Sequence, residues 1–260
     1  MAQRLSESDR QQYAKFIDEE IENYKESLPR SALMSIGQEA VDLLLAEAQL
    51  TLTELLLCER VDKIIMKRLR LPSFKTWRTR QVKLAKERMR PEHWGLDEND
   101  PVVRTVNSAR SESRVLVAGT EVETSALYFA ANGCDVTALS GADCVQRVID
   151  AAEEAGLGSR VHASAESINA FTPAGPLSAV VYSPAAFAGM STAERARVIE
   201  VLQSATLDGG VHLIQTIAAG KRTAVSLDEL QRRYRGWDVT VDLEHSNSFF
   251  ARKAVNELPV

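Results

Sequence analysis

The stretch 113–139, SRVLVAGTEVETSALYFAANGCDVTAL, decides the fold class of this chain. Arg114–Ala118 is a short apolar run that reads as a strand, and Asp135–Leu139 reads as a second one. Between them, residues 124–132 are rich in alanine and aromatic side chains, and Gly133 closes them as a helix. Strand, turn, helix and strand in this order form the opening unit of a parallel α/β sheet, because parallel neighbours need a crossover of a dozen or more residues. The turn AGTEVETS contains one glycine, Gly119, so it cannot supply the Gly-x-Gly-x-x-Gly of a dinucleotide-binding dehydrogenase.

The βα rhythm continues from there. Strands are predicted at 160–163, 177–182, 210–217, 237–243 and 249–253, with helices at 142–155, 192–205 and 227–234. The runs VLVA, AVVY and HLIQTI suit strands buried on both faces. The last two strands are joined by EHSNS, which is long enough only for an antiparallel hairpin.

Upstream, residues 1–100 hold no strand signal. Helices are predicted at 8–26, 31–49, from Thr53 to before Pro72, and 74–89, with 91–103 as a linker packed through Trp94. The expected domains are a helical region at 1–100 and an α/β domain at 101–260. The chain is 260 residues long, with 45% hydrophobic and 26% charged residues, ordinary for a globular protein. It has no apolar run of about 18 residues to cross a membrane. Its polar start is no signal peptide. Cys58, Cys134 and Cys144 lack metal or redox spacing and read as free thiols of a reducing cytoplasm.

Five parallel strands followed by a C-terminal antiparallel hairpin resemble the class I S-adenosylmethionine-dependent methyltransferases across about residues 110–255. ATLDGGVHLIQTI (205–217) is similar to that family's approach to its fifth strand, GCDVTAL (133–139) to its second strand, and ERARVIEVLQSA (194–205) to the helix before the Gly-Gly turn. The resemblance implies a seven-stranded doubly wound sheet of order 3-2-1-4-5-7-6 with strand 7 antiparallel. It implies methyl transfer from S-adenosylmethionine to an unspecified acceptor. It places cofactor contacts at Gly119, Thr120, Glu121, Ser140, Glu166 and Tyr182, the carboxyl ends of strands 1 to 4.

The chain departs from the family pattern at named positions. Val117 stands where the family's first motif has an acid, and Glu121 and Glu123 stand where it has its second and third glycines. The acid that accepts both ribose hydroxyls falls on Leu139 or Ser140, with Asp143 the nearest carboxylate. In 163–166 (ASAE) only Glu166 could meet the adenine amine, and Ser178 stands where an acid often opens strand 4. Glu121 and Glu123 also have a plain role, since acids in a helix's first turn stabilise it by roughly 0.3–1 kcal/mol each. These departures predict weak cofactor binding. They also support an alternative, a degenerate methyltransferase-fold protein that serves as a structural or interaction subunit.

Tyr182-Ser183-Pro184-Ala185-Ala186-Phe187 is similar to the Asn/Asp-Pro-Pro-aromatic signature of amino-methylating enzymes, without its polar acceptor and second proline. A turn leaving strand 4 explains it equally well. His93, His162, His212 and His245 fall on separate elements, so neither a metal site nor a histidine triad is expected.

Charge is distributed in blocks. Residues 1–58 carry a net −6, residues 59–90 a net +9 and residues 91–260 a net −8. The basic block offers Lys75, Arg78, Arg80, Lys83, Lys86 and Arg88 on one predicted helix, with Phe74 and Trp77 nearby. Pairing with the acidic segments is the favoured reading over phosphate contact. Leu43, Leu44, Leu45, Leu52, Leu55, Leu56 and Leu57 exceed what one helix stripe hides against one neighbour. The N-terminal helices are therefore expected to self-associate as a homo-oligomer, or to hold a partner protein or the α/β domain, rather than to read nucleic acid.

Overall fold

The computed structural model describes residues 8–46, 54–109, 112–183, 185–215, 225–242 and 247–255. They group into two units, one up to Leu84 and one from Ala85 onward.

In the first unit, α1 (Asp9–Ser27) opens on a reciprocal cap. The Ser8 hydroxyl accepts from the Gln11 N–H at 3.3 Å, and the Gln11 side chain accepts from the Ser8 N–H at 2.8 Å. With α2 (Arg30–Ala46) and α3 (Glu54–Leu69) it buries Ile17, Ile21, Ile36, Ala40, Ile64 and Ile65, spaced to share one face of each helix. The start of α4 (Phe74–Arg88) adds Trp77, which is buried beside Tyr13 and Phe16 with ring centroids 5.5 and 6.3 Å away. The Tyr13 hydroxyl donates to the Pro72 carbonyl at 2.9 Å. Acidic and basic segments pair inside this unit: Arg78 with Asp9 at 2.8 Å, Lys25 with Asp62 at 2.9 Å, and Arg68 with Glu39.

Residues 85–100 group with the second unit, earlier than the expected boundary at 100. Trp94 and Leu96 pack on that unit's core, and the Trp94 ring N–H donates to the Arg88 carbonyl at 2.6 Å. The predicted linker at 91–103 needs correction, because its end is helical. Asp100 accepts the Val102 N–H at 2.7 Å, Pro101 takes the first turn, and α5 (Pro101–Ser108) follows.

The sheet comprises β1 (Arg114–Ala118), β2 (Asp135–Leu139), β3 (Val161–Ser164), β4 (Leu177–Tyr182), β5 (Thr206–Gln215), β6 (Trp237–Asp242) and β7 (Ser248–Lys253). Their order is β3-β2-β1-β4-β5-β7-β6, with β7 antiparallel to both neighbours and every other pairing parallel, as expected. Strand alternation divides the core in two. Val115 and Val117 join the layer of α5, α6 (Val122–Ala131) and α7 (Ala142–Glu154). Leu116 and Ala118 join that of α8 (Thr192–Ala205) and α9 (Leu227–Arg233). The turn Gly209–Gly210 is needed where β5 enters: a Cβ on Gly210 would lie 2.7 Å from the Thr206 methyl and 3.0 Å from the Ser178 carbonyl. There the β4–β5 register shifts.

Candidate functional site

β1 and β4 are adjacent, and the chain leaves them toward opposite edges of the sheet. That switch point, at the carboxyl ends of parallel strands, is where doubly wound folds open a crevice. The ladder continues past both strands there. Gly119 N–H donates to the Leu139 carbonyl at 3.0 Å, Ser140 N–H to the Ser164 carbonyl at 3.2 Å, and Ser183 N–H to the Ala118 carbonyl at 2.8 Å. Ser140, Gly119 and Ser183 thus stand in a row, one residue past the paired Leu139, Ala118 and Tyr182, about 4.8 Å apart by strand spacing.

The turn from β1 into α6 keeps a glycine-type backbone. Gly119 has φ +128°, and Glu121 at the helix N-cap has φ +56°. Glu121 thereby holds, as a glutamate, a left-handed conformation that costs a non-glycine residue of the order of 1–2 kcal/mol. Its side chain makes no capping hydrogen bond to the first N–H groups of α6. Thr120 and Glu121 are exposed, and Gly119 is half-buried.

Ser140 stands where the resemblance expects a ribose-binding acid. Its hydroxyl donates to the Gly119 carbonyl at 2.7 Å, tying the ends of β1 and β2 together. Leu139 is buried in the opposite layer, which leaves Ser140 as the residue at that position. Glu166 lies past β3 in an exposed turn whose N–H donates to the Ser164 hydroxyl at 3.1 Å. Five of the six expected cofactor contacts therefore sit along one edge.

Tyr182 is placed elsewhere. Its ring is wholly buried on the α8–α9 side, stacked on Phe187 at 4.9 Å. Its hydroxyl lies 3.4 Å from His212 Nδ1, and burial raises the pKa of both the Tyr182 and Tyr234 phenols. The Tyr234 hydroxyl lies 2.7 Å from His212 Nδ1, and Thr206 Oγ1 lies 2.8 Å from His212 Nε2. Because the Thr206 hydroxyl donates to the Leu202 carbonyl at 2.6 Å, it accepts from Nε2–H, and Nδ1 accepts from Tyr234. Burial, followed by the nearby Lys253 charge, pushes the His212 pKa down from 6.5 to about 3, so the ring is neutral. The network holds the core together and faces no crevice.

Sequence reading missed the Ser183 side chain. It is 2% exposed, and its hydroxyl has no hydrogen-bond partner among the described residues. The signal was its position directly after the buried run AVVY, at the end of a switch-point strand. Its neighbour Pro184 lies outside the described residues, as does His245. Among the described residues no group of three or more His, Cys, Asp or Glu side chains is poised to hold a metal ion, and no helix is long and apolar enough to cross a membrane.

No family model matches the sequence, and no curated protein does. Among solved structures, TehB from Haemophilus influenzae is similar at 19% identity with a TM-score of 0.48, over 58% of this chain and 61% of that one. This chain thus spans about three fifths of that relative's length. A TehB-like SAM-dependent methyltransferase from Corynebacterium glutamicum matches at 16% identity and TM-score 0.46, over 70% of this chain and 97% of that one. CalS10, an amino pentose methyltransferase from Micromonospora echinaspora solved with SAM bound, matches at 16% and 0.46, over 66% and 97%. The strand order and the antiparallel β7 give the second unit a class I methyltransferase-like fold.

Proposed function

We propose that the second unit is a methyltransferase-like domain that takes S-adenosylmethionine weakly in the crevice between the ends of β1 and β4. One observation carries this reading: Ser183, whose buried hydroxyl has no partner among the described residues, ends β4 at the switch point with its N–H on the Ala118 carbonyl, one residue before the Gly119 turn. A buried hydroxyl without a partner costs about 1–3 kcal/mol, which a bound ligand would relieve. Main-chain N–H groups at a helix start suit an anionic group such as the carboxylate of the methionine arm.

The residues present fit the main-chain cradle of that cofactor and do not fit its ribose clamp. Ser140 offers a neutral hydroxyl already used on Gly119, where a carboxylate would accept two hydroxyls. Losing such a charge-assisted contact costs about 1.5–3 kcal/mol, or roughly ten- to a hundredfold in affinity. Calorimetric titration of the full chain with S-adenosylmethionine and its demethylated product tests this. The expected dissociation constants lie above about 10 µM. Submicromolar binding overturns the weak clamp, and no heat at about 5 mM overturns the cofactor site.

The Ser140–Gly119 bond, which occupies the hydroxyl at the expected ribose position, favours a second reading, in which the domain serves as a non-catalytic subunit. Self-association through the N-terminal unit belongs to either reading. Met34, Leu45 and Leu55 are 67%, 63% and 80% exposed there. The basic block is used in part inside the unit, and Trp77, a candidate for base stacking, is buried. Light scattering should show a dimer or larger species that Leu45→Glu with Leu55→Glu reduces to monomer. A monomer at all concentrations refutes it.

A further inference from the structure

Away from the switch point, a cleft of about 230 Å³ lies between α5 and the β6–β7 hairpin. Periodicity builds it. Arg104 and Ser108 lie one turn apart on α5. Ser248, Phe250 and Arg252 alternate on one face of β7, and Asp242 pairs with Ser248 across the hairpin. Two arginines, the carboxylate of Asp242 and the ring of Phe250 therefore line one cleft. Neither arginine is fully engaged by what surrounds it. Arg252 donates one N–H to the Ser108 hydroxyl at 2.9 Å and has Asp238 opposite it on β6. Arg104 comes no closer than 3.9 Å to Asp242, beyond hydrogen-bond reach. A guanidinium carries five N–H donors in a fork that matches an oxyanion.

We propose that this cleft binds a small oxyanion, a carboxylate or a phosphate carried on a compact body. Arg104 and Arg252 supply the paired donors, Ser108 and Ser248 line the site with hydroxyls, and the half-buried ring of Phe250 supplies an apolar wall. The volume is that of roughly eight waters, which limits the ligand to about a dozen non-hydrogen atoms. Asp242 opposes the anion and holds its affinity down. β5 separates this cleft from β4, so it lies about two strand spacings, or 10 Å, from the switch point. The proposal stands whether or not the crevice binds S-adenosylmethionine.

The test is titration of the full-length protein, followed by amide and arginine side-chain NMR signals, with inorganic phosphate, benzoate and, as a cationic control, benzamidinium. Saturable shifts at the cleft with dissociation constants of about 1–10 mM are expected for an anion and none for benzamidinium. Phosphate binding more tightly than benzoate assigns a phosphate ligand, and the reverse assigns a carboxylate. Arg104→Gln with Arg252→Gln should weaken binding at least about tenfold. Asp242→Asn should tighten it several-fold, and Lys86→Gln should change nothing. If the double variant folds poorly, Arg104→Gln alone carries the test, because the contact it loses is the long one. No saturable shift up to about 50 mM, equal binding of benzamidinium, or unchanged affinity in the arginine variants overturns the proposal.

Discussion

Two polar regions meet at β4, one at its carboxyl end and one on its buried α8–α9 face. On the buried face, polar groups run donor to acceptor from Tyr234 through His212 and Thr206 to a carbonyl, with the Tyr182 hydroxyl 3.4 Å from His212 Nδ1. At the carboxyl end, the Ser183 hydroxyl has no partner among the described residues, Glu121 holds a left-handed backbone, and the Glu121 side chain does not cap α6. The first region resembles a core that happens to be polar. The second carries small unresolved costs in the place where a ligand would relieve them. A domain that had lost all use for its crevice would be expected to fill it with apolar side chains.

Breaking the paired region should have the largest effect. His212→Ala opens a cavity and leaves the Tyr234 hydroxyl without its acceptor, so unfolding free energy should fall by about 3–4 kcal/mol in urea. The neutral ring also predicts a pH dependence. The His212 pKa is about 3 in the folded chain against an ordinary 6.5, so between those values the unfolded chain binds a proton that the folded one refuses. Stability from this group is complete above pH 6.5 and is lost as pH falls toward 3. From pH 6.5 to 4.5 the loss should be about 2–3 kcal/mol more in the wild type than in His212→Phe. Equal pH profiles for the two proteins would show that the ring is not held neutral.

The contrast also explains what the sequence disclosed. The apolar runs VLVA, AVVY and HLIQTI mark strands buried on both faces and the five-residue loop EHSNS marks an antiparallel hairpin, while the order of the seven strands follows from the family resemblance. Caps are equally local, and Asp100-Pro101 should have been read as the start of α5. Whether a polar side chain at a strand end points to a crevice or to a partner depends on elements far away in sequence. Tyr182 ends its strand as a ligand contact would, yet its partners are Tyr234 and His212, which come with α9 and β5. Ser183, one residue on, has its N–H on the Ala118 carbonyl and a hydroxyl with no partner among the described residues.

Back-substitution sharpens the reading of the carboxyl end. Ser140→Asp restores a carboxylate at the ribose position, and Glu121→Gly removes the left-handed glutamate. Together they should tighten S-adenosylmethionine binding by about tenfold, read by calorimetry. Unchanged binding would mean that the crevice is not shaped for a nucleoside, and the scaffold reading would follow.

The smallest expected effect has the opposite sign. Ser183→Ala removes a hydroxyl that is 2% exposed and has no partner among the described residues, while keeping the N–H that bonds the Ala118 carbonyl at 2.8 Å. Removing an unsatisfied buried polar group is neutral or stabilising, so the unliganded variant should gain up to about 1 kcal/mol. In saturating S-adenosylmethionine the order should reverse, because the wild type gains a hydrogen bond that the alanine cannot offer. Thermal unfolding of both proteins, with and without ligand, reads the crossing directly. A loss of stability in the unliganded variant would show that the hydroxyl is bonded after all, and the argument from Ser183 to a ligand would fail.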